Sequence, residues 1–67
     1  MEVRSAMHRE IRASDAERDA VVERLRRALG QGRLTMDEYD GRVAAAYAAK
    51  TRGELALLTQ DLPGSLW

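Results

Sequence analysis

Apolar residues recur at helical spacing in three runs, and a polar start signal precedes each run. Val21, Val22, Leu25, Ala28 and Leu29 make one stripe at 3.6-residue periodicity. Met36, Tyr39, Val43, Ala46 and Tyr47 make a second, and Leu55, Leu58 and Leu62 a third. Ser14-x-x-Glu17, Thr35-x-x-Glu38 and Thr51-x-x-Glu54 each place a hydroxyl and a carboxylate where they satisfy the free amides of a helix start. The pattern predicts helices from Ser14 to about Gly30, from Thr35 to about Ala49, and from about Arg52 to Gln60. Gly30-Gln31-Gly32 stops the first, glycine entering the left-handed conformation without steric penalty. Leu34 and Tyr39 stand at the positions of a hydrophobic staple for the second. Only Lys50 separates the second helix from the third cap, so those two are expected to turn sharply and pack as neighbours. Pro63 stops the third. The expectation is an all-α domain of three helices joined by short turns.

Around this unit, residues 1–13 have Val3, Ala6, Met7 and Ile11 at helical spacing but no cap before them and many charges between. They read as a loose or marginally helical N-terminal arm, residues 14–63 as the domain, and residues 64–67 as a C-terminal tail. The first helix carries Asp15, Glu17 and Asp19 at its start and Arg24, Arg26 and Arg27 towards its end, matching the helix dipole. Arg18 falls inside the apolar stripe, where an unpaired charge would cost several kcal/mol. It is expected to meet a carboxylate from another helix through its bidentate fork, with Asp61, Glu38 and Glu54 as candidates in that order.

At 67 residues the chain has room for one domain, with about 60% of its unfolded surface to bury. It has no cysteine, so neither disulfides nor thiolate ligands reinforce it, and a reducing, cytosolic setting suits that usage. Eleven basic residues balance eleven acidic ones, so no net field draws it to nucleic acid or to an anionic membrane. No run of about 18 apolar residues is available to span a bilayer, and the first residues lack the apolar core of a secretory signal.

Candidate chemistry is sparse. His8 is the only histidine, so a histidine metal site or catalytic dyad lacks a second member. Asp37, Glu38 and Asp40 crowd a helix start, where capping and the dipole account for them. Gly30-x-Gly32 has no preceding strand and so is a helix stop rather than a phosphate loop. No catalytic residue, cofactor site or metal site is expected. Three helices raise the possibility of a helix-turn-helix reader, but the second helix would turn Asp37, Glu38 and Asp40 towards the duplex. The third offers Lys50, Thr51 and Arg52 beside Glu54 over only a few turns, and nucleic acid is disfavoured.

Three ordered blocks carry a family resemblance. Arg12, Ser14, Asp15, Glu17 and Arg18 fit R-x-S-D-x-[DE]-R; Gly32, Arg33, Leu34, Thr35, Glu38, Tyr39 and Arg42 fit G-R-L-[ST]-x-x-E-[FY]-x-x-R. Thr51, Glu54, Leu55, Leu58, Asp61, Leu62 and Pro63 fit T-x-x-E-L-x-x-L-x-x-D-L-P. Residues 12–63 thus resemble the SHOCT-like actinobacterial domain of unknown function numbered seventeen-zero-seven in its series. The resemblance implies a domain at the N-terminus of a longer protein, often followed by membrane-spanning segments or another soluble domain. It implies no activity.

The expected function is a noncatalytic protein-interaction or assembly module, cytoplasmic or on the cytosolic face of the membrane within a membrane-anchored parent. The alternative is a small DNA-binding regulator. Leu57 lies off the core stripe and Leu66 and Trp67 follow the helix stop, so these three are the expected docking face for a protein partner or a second copy.

Overall fold

In the computed structural model the described residues are 10–64, and they fold as three helices: α1 (Asp15–Gly30), α2 (Met36–Ala48) and α3 (Arg52–Leu57). The domain is all-α, as the apolar periodicity requires. Residues 1–9, with His8 among them, and residues 65–67, with Leu66 and Trp67, lie outside the described residues.

Each helix starts where its hydroxyl cap stands. The Glu17 amide donates to Ser14 Oγ at 3.0 Å while the Ser14 amide donates to Glu17 Oε1 at 2.9 Å. Thr35 and Glu38 repeat the reciprocal pair at 3.1 and 2.8 Å. The third start is half a box: the Glu54 amide donates to Thr51 Oγ1 at 3.2 Å, but the Glu54 carboxylate takes the Lys50 amide at 2.6 Å. At the other end of α1, the Arg33 amide reaches back to the Ala28 carbonyl and the Gly32 amide to that of Leu29. This is a Schellman turn with Gly32 at φ +76°, the left-handed position where a side chain would be strained.

The core is small. Val21, Leu25 and Ala28 of α1, Ala46 of α2, Leu55 of α3, and Ala13, Leu34 and Ala49 from the connections are buried, with Val22, Tyr39, Val43, Leu58 and Leu62 packed partly against them. Alanines at four of the buried positions let the elements approach closely. Two residues of the expected α2 stripe stand outside the core: Met36 is 60% and Tyr47 56% exposed. The α2 side that faces α1 is centred on Tyr39 and Ala46, leaving Met36 and Tyr47 on its flank.

Three further expectations are corrected. Helix α3 packs more closely on α1 than on α2, because extended residues carry the chain away from α2 before α3 begins. It also ends at Leu57 rather than Gln60. In a longer helix the Leu62 amide would bond the Leu58 carbonyl; here it bonds that of Thr59, and Leu58 receives the Arg42 guanidinium instead. Finally, residues 11–13 are not part of a loose arm. Arg12 and Thr51 form an antiparallel bridge, with the Ala13 amide on the Lys50 carbonyl and the Arg52 amide on that of Ile11, both at 2.9 Å. Ala13 is buried by this pairing, so the structural unit begins before Ser14.

Candidate interaction surface

Four arginines, Arg18, Arg24, Arg42 and Arg52, reach from one element to a carbonyl or carboxylate of another. Arg18 is largely covered, its side chain 21% exposed, as its place in the stripe requires. Its partners are different from those expected. Nε donates to the Ala49 carbonyl at 2.9 Å, at the C-cap of α2, and Nη1 to Asp15 of its own helix at 3.0 Å. Asp61, Glu38 and Glu54 are engaged elsewhere: Asp61 with Arg42, Glu38 in the Thr35 capping box, and Glu54 on the Lys50 amide. Arg18 thus closes the end of α2 directly, and the Ala49 carbonyl takes the place of the carboxylate from another helix that the wheel called for.

Arg42 holds the fork that was expected of Arg18. Its Nη1 and Nη2 donate to the two oxygens of Asp61 at 2.7 and 3.0 Å, and Nη1 also donates to the Leu58 carbonyl at 3.1 Å. The Arg42 guanidinium holds the Asp61 carboxyl below its ordinary range, and Asp61 in turn raises Arg42. The wheel argument that selects Arg18 also selects Arg42, which stands one turn from Tyr39 and Ala46 at the edge of the inward side of α2.

Two more contacts tie α3 and the segment after it to α1. Arg52 pairs with Glu17 at 2.7 Å, and Arg24 Nη2 donates to the Pro63 carbonyl at 3.0 Å. Glu17 is lowered from its ordinary value first by the Ser14 amide and next by Arg52. Farther along α1, Glu23 accepts from Arg26 and Arg27, and the Arg26 bond lowers it. Between α1 and α3 an open groove of about 280 Å³ is lined by Glu17, Ala20, Val21 and Arg24 on one side and Arg52, Leu55, Ala56 and Thr59 on the other.

Of the expected docking face, Leu57 is exposed, at 55%. Leu66 and Trp67 lie outside the described residues. Met36 and Tyr47 add two large apolar side chains that periodicity had assigned to the core. They stand eleven residues apart on α2, about three turns, and so share one side of it. Among the described residues no helix is long and apolar enough to cross a membrane.

The profile of the DUF1707 SHOCT-like domain matches residues 11–63. The chain belongs to this family. The match begins at Ile11, whose carbonyl accepts the Arg52 amide in the bridge to the α2–α3 turn. Two uncharacterized proteins of Mycobacterium tuberculosis, from strains CDC 1551 and H37Rv, are each 42% identical over 64 residues, or 96% of this chain. The chain spans about a third, 32%, of the length of each. No solved structure matches. For a DUF1707 domain the pattern residues therefore acquire physical roles here: Arg18, Arg42 and Asp61 close helix ends, while Ser14, Thr35 and Thr51 open them.

Proposed function

We propose that this DUF1707 domain is a noncatalytic protein-interaction or assembly module, working on the cytosolic side as one part of a longer protein. The observation that supports the reading is the inversion of side-chain size across the fold. Alanines occupy the buried positions 13, 28, 46 and 49, whereas Met36, Tyr47 and Leu57 are more than half exposed. Large apolar and aromatic side chains held outward on a rigid frame are the raw material of protein interfaces. The arginines fit the same reading, because Arg18, Arg42 and Arg52 are bonded within the domain and the first turn of α2 presents Asp37 and Glu38. That arrangement is ill suited to phosphate.

Sedimentation velocity across a concentration series tests self-association directly. The apparent mass should rise with concentration and return to the monomer value in Leu57→Glu. A strict monomer that also fails to bind the remaining part of its longer relatives would overturn the reading, as would a salt-dependent mobility shift with duplex DNA at physiological ionic strength.

A further inference from the structure

We propose that the exposed face of α2 is where a second copy of this chain docks, its own α2 running antiparallel across it. This pairing rests on the assembly reading above, of which it is one contact. Met36, Asp37, Asp40, Ala44, Tyr47 and Ala48 are all exposed. On the helix wheel they fall within about a third of the circumference, turned away from the fully buried Ala46. Two large apolar side chains, Met36 and Tyr47, thus stand on one face with alanines that let another helix come close. Among the described residues nothing covers them.

Charge selects the occupant and its direction. The face begins with Asp37 and Asp40, its last turn holds no basic residue, and Lys50 stands exposed just beyond the end of α2. Among the described residues these three charges have no ion-pair partner, whereas Arg18, Arg42 and Arg52 are each paired. A parallel second copy would set acid beside acid and align the two helix dipoles. An antiparallel copy centred on Ala44 does the opposite. Position 50 lies six residues after Ala44, and positions 40 and 37 lie four and seven before it, so Lys50 of each copy comes within about 3 Å, along the axis, of Asp37 and Asp40 of the other. Asp40 stays about 12 Å along the axis from its own counterpart. The face is therefore complementary to itself, as a two-fold pair requires. Over its 13 residues α2 is about 20 Å long and about 10 Å wide, a footprint of roughly 200 Å² on each copy. A stable interface needs about 1,000 Å² in all. The α2 pair is too small to hold alone, so it acts together with the contact through Leu57, and loss of either returns the chain to the monomer.

The two charges sit at opposite ends of the face, so they can be exchanged between chains. Asp40→Lys alone sets lysine against Lys50, and Lys50→Glu alone sets acid against Asp40. Each variant should weaken self-association several-fold in sedimentation while its helical circular dichroism matches the parent. An equal mixture of the two should associate as tightly as the parent, because at both ends of the mixed pair a cation then faces an acid. Lys50 is the only lysine, which makes a second measurement specific. Carbodiimide joins a carboxylate to an amine in contact, and in the full 67-residue parent it should link Lys50 to Asp37 or Asp40. Within one chain these positions are about 15–20 Å apart along the axis, so the link forms between copies, as a mixture of isotope-labelled and unlabelled chains will show. Should either variant fail to fold, this cross-link decides the matter, its absence in the associated parent counting against the pair. A parent that is dissociated by Leu57→Glu yet indifferent to both charge changes would overturn the α2 pair and leave the assembly reading standing. So would a mixture that stays as weak as its components. A parent that is monomeric at every concentration would overturn the pair as well, and the assembly reading would then stand on binding to the remaining part of the longer relatives.

Discussion

Replacing Arg18 separates the two contacts that its guanidinium makes, and their expected sizes differ. The bond from Nε to the Ala49 carbonyl is partly buried at 2.9 Å, and hydrogen bonds to charged groups contribute about 1.5–3 kcal/mol. The pair with Asp15 is another matter. The Asp15 side chain is 100% exposed, and ion pairs of that kind contribute about 0–1 kcal/mol and are screened by salt. Arg18→Met keeps most of the apolar stem and removes both contacts, so a loss of about 2 kcal/mol is expected, most of it from the carbonyl. In a domain of this size each kcal/mol moves the melting temperature by about 4–8 °C, giving a shift of roughly 8–16 °C. Arg18→Lys discriminates further. An ammonium still attracts Asp15 but lacks the Nε–H that meets Ala49, so lysine should recover less than half of the loss. Thermal and urea melts followed by circular dichroism, at low and high salt, measure these differences. A lysine variant as stable as the parent, or a methionine loss that vanishes in high salt, would refute the assignment of Arg18 to the end of α2.

Two other perturbations test the frame. Ser14→Ala, Thr35→Ala and Thr51→Ala should each cost about 1 kcal/mol, with Thr35 the most damaging because its cap adjoins buried Leu34 and the Schellman turn; three melts identical to the parent would contradict this. Acid should destabilise the domain. Glu17, Glu23 and Asp61 all have folded pKa values lowered by their partners, so their stabilisation is complete above the ordinary carboxylate values and is lost as pH falls below about 4.5 for the glutamates and 3.8 for Asp61. Urea midpoints that stay level or rise on acidification through that range would count against these pairs.

The legible parts of this fold were the local ones. A capping box depends on residues three apart, so Ser14–Glu17 and Thr35–Glu38 could be read from spacing alone, and the glycine stop likewise. Contacts between elements were not legible in the same way. The wheel identifies Arg18 as needing a partner, but whether that partner is a side chain or a carbonyl depends on where the α2–α3 turn passes. Asp61 was recognised as a carboxylate available for an inward arginine, and the arginine is Arg42 because the segment after α3 folds back towards α2. Residues 11–13 have no internal signal for order, since their bonds go to Lys50 and Arg52 far along the chain. Met36 and Tyr47 were assigned inward because periodicity locates a stripe without fixing its edges.

These long-range arginine contacts share a physical logic. A helix ends with unsatisfied carbonyls, and the shorter the helix, the larger the fraction of its backbone that is left in that state. Six residues are far too few for α3 to form on its own, since isolated helices shorter than about 12–15 residues are marginal. Its stability must come from outside. Arg42 bonds the C-cap carbonyl of Leu58 and through Asp61 holds the turn that follows, while Arg18 does the same for Ala49 at the C-cap of α2, and Arg24 for Pro63 beyond α3. A cation at a helix C-terminus also complements the dipole. With the arginines securing the ends, alanines can hold four of the eight buried apolar positions, beside Val21, Leu25, Leu34 and Leu55. Met36, Tyr47 and Leu57 are then not required inside, which leaves them outward on a frame that does not depend on covering them.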